Sequence, residues 1–508
     1  MTTLEFDSQP SVVSSVATSA SPLRRASRTA RTRLAVVSTH DDLCGIAAYT
    51  RSLERQLGDI FDVTVFELNQ FLLRSTHRRV RKFGDRHIQA ICREIRHYDA
   101  VNLQLEHGTL GRSCSDIFRR FNWIVRASPR LSVTFHSIML SEAFDFTEWF
   151  REICRFNFTK AIAMRVGYMR ANRLSAGIAS RLRRAQRFKP VAVVVHTRRD
   201  LWHMKYVHGM RNVHDHPLSF IDTAEAQEIR RNASRAKFPV LDAVPAQSKL
   251  IGVFGFLGRY KGFDTVIRAL HHLPEEYHLL IFGGVHPNEI RQHQTIDPVV
   301  SSLFDAGYID TSVVERTRTT HGAGAPVVSV AVDGSMLDLL VEHPKDLSSR
   351  IHFLGPQSDA DFLSGMAVCD AVVFPYLEVG QSSSGPISQS LELGCRVIAS
   401  RTHTFLQFAR YHPNTIEFFD IGNHLELAGR ILARPQFDAL ERLLAFNVET
   451  NKATYLAAHG EMTERVAQVT ASLADPYGSD TTRPISQRNS GCSPSSTTTP
   501  CDPMMRGG

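Results

Sequence analysis

The stretch Leu250-Ile-Gly-Val-Phe-Gly-Phe-Leu-Gly-Arg259-Tyr-Lys261-Gly-Phe-Asp-Thr-Val-Ile-Arg-Ala-Leu270 decides how the chain folds. Its first residues are apolar on both faces, as in a strand of a parallel sheet covered by helices on either side. A glycine-rich loop follows, and Phe263–Leu270 repeats its apolar residues at helical spacing. A strand that breaks into glycines before a helix places free N–H groups beside the carboxyl ends of the sheet, where α/β proteins bind anionic ligands. Arg259 and Lys261 stand at that helix start and suit a diphosphate, because charge-assisted bonds and the helix dipole act in the same direction. The competing reading is a solvated basic loop.

Working outward, the same pattern recurs. Leu34–Ser38, Phe61–Phe66, Ala100–Gln104, Leu131–Phe135 and Val191–His196 read as strands in the first half. Leu250–Phe256, Tyr277–Gly283, Ile351–Leu354, Ala371–Pro375 and Arg396–Ser400 do so in the second. Helical patterns separate them, so the fold class is α/β, with two Rossmann-like doubly wound domains. The expected organisation is a disordered tail over 1–32, a first domain over 33–218 and a second over 219–439 carrying an insertion at about 290–348. Closing helices over 440–474 and a disordered Ser/Thr/Pro/Gly tail over 475–508 complete it.

Two further strand-to-helix loops carry polar chemistry. Leu34–Leu53 places Gly45 where a loop meets a helix, and an ordinary βα turn is the bland alternative. Ala371–Gly394 contains Glu378, Gln381, Ser382, Ser383, Ser384, Gly385, Pro386 and Gln389. Ser384 is expected to cap a helix that has Pro near its first position, giving a second helix start aimed at the same crevice.

Composition bounds the function. Of 508 residues, 43% are hydrophobic and 22% charged, which excludes a chain disordered throughout. No apolar run approaches the ~20 residues that cross a bilayer. Lys and Arg number 59 against 51 Asp and Glu, a net charge of +8. Residues 151–190 alone hold eleven basic side chains against one acid, Glu152, so the remainder is slightly acidic and a generic nucleic-acid binder is disfavoured. This basic segment interleaves arginines with Phe156, Phe158, Ile162, Met164, Val166, Met169, Leu174, Ile178 and Leu182. It is expected either to lie on an anionic membrane surface or to pack its apolar stripe on the first-domain sheet with the arginines solvated. The eight cysteines have no metal-knuckle spacing and no secretory signal is read, so a cytoplasmic, reducing setting is expected, with a peripheral station at the inner face of the membrane. Asp359-Ala-Asp361 precedes a helical pattern and reads as helix capping rather than metal binding. His196, His203, His208, His214 and His216 read as surface and linker histidines; no metal is expected.

STHDDLCGIAAYTRSL, NLQLEHGTLG, VTFHS, GFLGRYKGFDTVIRAL, LLIFGG, RIHFLG and AVVFPYLEVGQSSSGPISQSLELGCRVIAS, in this order and spacing, resemble the retaining family-4 glycosyltransferases of the GT-B fold. The likeness covers roughly 33–430 apart from the insertion. It implies two domains facing a cleft, a nucleotide-sugar donor held mainly by the second, and a last helix crossing back to the first. It also implies that Lys261 binds the donor diphosphate, that Gly45 lies beside the phosphate, that His136 lies near the transferred sugar, and that Glu106 and His107 line the first-domain side. Arg259 stands in for the arginine that many members place at Phe256. The family's two glutamates fall on Gln381 and Gln389, which can still hydrogen-bond a hydroxyl but carry no charge.

The expected activity is therefore metal-independent transfer of a sugar, with retention, from a nucleotide diphosphate to a glycan, lipid-linked or small-molecule acceptor, as in polysaccharide biosynthesis. His136 and Gln381 are the expected catalytic residues. Gly45, Arg259, Lys261, Ser382, Ser383, Ser384 and Gly385 would hold the donor, a co-substrate; no cofactor is expected. The alternative is a non-catalytic GT-B module that binds a nucleotide sugar or glycan.

Overall fold

The computed structural model describes residues 31–42, 44–138, 144–284, 347, 349–378, 383–437 and 444–460. Residues 1–30 of the expected first tail, 461–474 of the expected closing helices, the whole of the expected tail over 475–508, nearly all of the insertion, Gln381 and Ser382 lie outside these residues.

The first half runs β1 (Arg33–Ser38), α1 (Gly45–Gly58), β2 (Asp62–Glu67), α2 (Gln70–Arg74), α3 (Arg78–Glu94), β3 (Ala100–Leu105) and α4 (Cys114–Ala127). It continues through β4 (Leu131–Phe135), α5 (Phe146–Cys154), α6 (Phe158–Ala185), β5 (Val191–Val195), α7 (Arg198–Trp202) and β6 (Val213–Asp215). Its strands form one parallel sheet in the order β2-β1-β3-β4-β5-β6.

The second half comprises α8 (Thr223–Asn232), β7 (Lys249–Phe254), α9 (Phe263–Leu270), β8 (Tyr277–Phe282), β9 (Ile351–Gly355), α10 (Asp359–Val368), β10 (Ala371–Phe374) and α11 (Gly385–Glu392). Then come β11 (Val397–Ser400), α12 (His403–Ala409), β12 (Ile416–Phe419), α13 (His424–Leu432) and α14 (Val448–Ala458). The second sheet is also parallel, ordered β12-β11-β10-β7-β8-β9. In both sheets the order reverses beside the first strand of the domain, which opens a crevice at the carboxyl ends.

Burial explains why these runs are strands. Every residue of β3, β4 and β5 is buried, and the Val191-Ala-Val-Val-Val run has no polar side chain to leave unpaired. The polar residues of β3 and β4 share one face and pair with each other. Asn102 donates to Ser132 Oγ at 2.8 Å and to Thr134 Oγ1 at 3.1 Å, and Gln104 donates to Asn102 Oδ1 at 2.5 Å. That face is covered by α14, which reaches it from the far end of the chain. The Tyr455 hydroxyl lies 2.9 Å from Thr134 Oγ1, His459 Nε2 lies 3.1 Å from Ser132 Oγ, and Asn451 donates to Gln56 Oε1 at 2.8 Å.

The domains are joined by 216–221, held from both sides. Gln56 donates to the Ser219 carbonyl at 3.0 Å and Ser52 donates to that of Phe220. From the second domain, Glu392 accepts from the Phe220 N–H at 2.9 Å and from that of Ile221 at 3.2 Å. Burial raises the Glu392 carboxyl to about 8. Arg51 and Asp359 add an interdomain ion pair at 2.8 Å.

Several readings need correction. His196 and His216 are interior residues, 2% and 1% exposed. His196 Nδ1 lies 2.9 Å from the His216 carbonyl, and His216 Nε2 lies 2.7 Å from Thr450 Oγ1 of α14. The segment 151–190 divides: Leu174, Ile178 and Leu182 belong to the core, whereas Phe156, Phe158, Ile162 and Met169 are exposed. The edge strands β6 and β12 lacked a legible pattern.

Candidate functional site

The site is built from loops at the carboxyl ends of the two sheets. On the second domain β7 ends at Phe254, and Gly255 follows at φ +121. A Cβ there would come within 3.1 Å of Lys261 Nζ, so the glycine leaves room for the lysine to fold back. Arg259–Lys261 forms a single 3-10 turn closed by Gly262 at φ +64. A Cβ on Gly262 would sit 2.0 Å from the Pro375 carbonyl oxygen, so close approach of two loops and a left-handed backbone both require glycine.

Lys261 is 5% exposed. Its Nζ donates to the Tyr376 hydroxyl and lies 3.8 Å from the centre of that ring and 5.0 Å from the centre of the Tyr260 ring. Among the described residues it has no carboxylate partner. Burial pushes its amine down to about 7, so near neutrality it alternates between charged and uncharged forms. A buried ammonium without a counter-charge is costly, and an anionic ligand would supply what is missing.

Tyr376 is the residue that sequence reading missed. Its hydroxyl lies 3.2 Å from Ser384 Oγ and its carbonyl accepts from Ser400 Oγ at 2.6 Å. It thereby joins the ends of β10 and β11, Lys261 and the start of α11. Ser384 occupies the N-cap position of α11, but its side chain makes no capping bond and turns to Tyr376. The expectation of a side-chain cap is therefore corrected: among the described residues no side chain caps the first turn of α11. Gly385 opens that helix, and a Cβ there would meet the Phe220 ring at 3.0 Å. Arg259 is exposed. Glu378 accepts from the His403 N–H at 2.6 Å, at the start of α12. Gln389 lies on α11.

On the first domain β4 delivers His136, 8% exposed. Its Nε2 lies 2.8 Å from Gln104 Oε1, an acceptor, so the ring proton sits on Nε2. Burial, and then the neighbouring His196, hold its pKa well below the usual histidine value, and the ring is neutral. Tyr49 packs edge-on against His136 and His196, at 5.4 and 5.8 Å. Glu106 follows β3 and accepts from Ser137 Oγ at 2.7 Å. His107 opens a 3-10 turn beside it. Gly45 is the first residue of α1, where a Cβ would meet nothing within 4 Å.

The two halves touch. Ser383 donates to the His136 carbonyl at 3.4 Å, which puts the loop before α11 against the end of β4. Lys261, Ser383, Ser384, Gly385 and His136 are thus gathered at one junction. Asp359 and Asp361 lie within the first turn of α10, where they complement its dipole, but neither carboxylate is the cap: Ser358 Oγ accepts from the Asp361 N–H at 3.1 Å.

No protein-family model matches the chain, and no curated protein matches it. Solved structures do. Sucrose-phosphate synthase of Thermosynechococcus elongatus is 18% identical, with 87% of this chain and 100% of that one covered and a TM-score of 0.50. An α,α-trehalose-phosphate synthase (UDP-forming) of Burkholderia xenovorans, in complex with glucose-6-phosphate, is 10% identical over 84% of this chain and 100% of that one, at 0.51. The corresponding Burkholderia multivorans synthase is 11% identical over 87% and 100%, at 0.50. These similarities, with two parallel six-stranded sheets whose carboxyl ends meet at one junction, give the chain the GT-B fold of the glycosyltransferases.

Proposed function

We propose that the chain transfers a sugar from a nucleotide-diphosphate sugar to a glycan, lipid-linked or small-molecule acceptor, with retention and without a metal. The observation that carries this reading is the buried Lys261 amine, which among the described residues meets tyrosines and no carboxylate, beside the start of α11, where Ser384 makes no capping bond. A donor diphosphate fits there: Lys261 would meet it as an ammonium, Arg259 would reach it from the exposed side, and the N–H groups of Ser384 and Gly385 would face it. His136 and Gln381 are assigned to the transferred sugar, Gly45 to the donor phosphate from the first-domain side, and Glu106 and His107 to the cleft lining. In a front-face transfer the leaving diphosphate itself accepts the acceptor's proton, so no strong protein nucleophile is needed. Catalysis then rests on positioning and on stabilising the leaving group. The reading includes a cytoplasmic chain with a peripheral station on an anionic membrane face, reached through 151–190.

Incubation with UDP-, GDP-, ADP- and dTDP-sugars and a panel of acceptors tests the reading. Release of nucleoside diphosphate with a glycosylated product is expected. The glutamines at 381 and 389 favour one second reading, a non-catalytic module. Tight donor binding without turnover across the panel would establish that reading instead.

A further inference from the structure

We propose that the two-helix unit α5–α6 is a docking surface for a bilayer bearing anionic headgroups, with phenylalanine side chains entering the interface. This deepens the peripheral part of the reading above and uses none of the residues of the Lys261 site. The helical pair exposes six large apolar side chains: Phe146 (64%), Phe150 (63%), Phe156 (81%), Phe158 (53%), Ile162 (63%) and Met169 (51%). Phe146 and Phe150 are one turn apart on α5, and Phe158, Ile162 and Met169 follow helical spacing along one stripe of α6. Phe156 lies in the turn between them.

That turn is fixed. Phe156 holds φ +57, an uncommon conformation for a bulky residue. Its N–H donates to the Ile153 carbonyl and the Asn157 N–H to that of Glu152, both at 2.9 Å. The buried Glu152 carboxylate accepts from Lys160 Nζ at 2.7 Å and from Asn157 Nδ2 at 3.1 Å. The most exposed phenylalanine of the unit is therefore presented by a braced backbone. The rest of α6 is anchored, because Leu174, Ile178 and Leu182 are buried in the first-domain core.

The charges identify the partner. Arg151, Arg155, Lys160, Arg165, Arg170 and Arg173 stand on the same unit against Glu148 and Glu152. Aromatic and aliphatic side chains amid a basic excess match an anionic lipid interface, where rings sit among headgroups while cations meet phosphates. A nucleic acid would satisfy the cations but leave Ile162 and Met169 uncovered.

Co-sedimentation of the full chain with phosphatidylcholine vesicles, with and without phosphatidylglycerol, tests the proposal. Pelleting is expected with the anionic vesicles alone and should fall in high salt. A Phe150→Ser/Phe156→Ser/Phe158→Ser variant should partition at least fivefold less, as should Arg165→Gln/Arg170→Gln, while nucleotide-sugar binding measured without vesicles stays as in the parent. A Phe156→Trp variant should show blue-shifted emission on the anionic vesicles. Absence of pelleting at low salt, equal pelleting of the serine variant, or no emission shift would overturn the proposal. So would a dimeric parent that the serine variant renders monomeric, which would assign the surface to a second copy.

Discussion

Lys261 concentrates the chemistry of the junction in one titrating group. Replacement by alanine removes a charge-assisted partner worth about 1.5–3 kcal/mol, so nucleotide-sugar affinity should fall roughly tenfold or more while the fold is retained. Calorimetric affinity within twofold of the parent would remove Lys261 from the site. A pH profile gives an independent check. With the free amine at about 7 and raised by a bound diphosphate, affinity should be flat below pH 7 and fall by up to tenfold per unit above it. Lys261→Met should flatten the profile. For folding the sign is opposite: the depressed pKa means that the unfolded chain binds the extra proton, so this group's contribution to stability rises between about pH 7 and 10.5. Lys261 was legible in the sequence from its glycine-rich loop. Tyr376 was not, because a tyrosine after an apolar strand reads as core, and only the fold shows its hydroxyl between Lys261 and Ser384.

At the scale of elements, the turn after β7 and the helix α14 make separate predictions. Gly262→Ala should cost more than the ~1 kcal/mol of an ordinary glycine substitution and weaken donor binding as well, because the loop carrying Lys261 must move off Pro375. Denaturation and donor titration of the same variant would show both, and loss of neither would mean that the loops separate freely. Tyr455 is fully buried in α14 and hydrogen-bonded at its hydroxyl. Tyr455→Ala should destabilise by about 3–5 kcal/mol and Tyr455→Phe by about 1–3, the latter from the unpaired groups left behind. The strands that the sequence showed are those with apolar runs or, in β3 and β4, with apolar residues alternating with uncharged polar ones. β12 escaped notice because its Glu417 is charged yet buried, which is tolerated only because Arg396 reaches it with two nitrogens at 2.8 and 3.0 Å. α6 misled in the other direction, since one periodic stretch serves a buried role in its second half and an exposed one in its first.

Across the whole molecule, the contacts between domains differ in kind. The Arg51–Asp359 pair has Asp359 62% exposed, so screening leaves it at most about 1 kcal/mol. Arg51→Ala should shift the unfolding midpoint little, whereas Phe220→Ala, at the crossing between α1 and α11, should cost several-fold more. Equal effects from the two would place the strength of the junction in charge rather than packing. The two-domain plan was readable from alternating strands and helices. How the domains meet was not, because Ser383–His136 and Glu392–Phe220 join residues far apart in sequence.

The return of α14 to the first sheet also sets an order of events during synthesis. The polar face of β3 and β4 is completed by Tyr455, 321 residues after Thr134 and 351 after Gln104. About 230 residues separate β6 from this helix, and at ~5–20 residues per second the ribosome needs roughly 12–46 s to make them. Through that interval the nascent first domain carries an open polar seam, and the second domain emerges before the first can close. The amino-terminal domain is therefore the last to be finished, and a ribosome stalled late in the message leaves both halves present but the earlier one still exposed to chaperones and proteases.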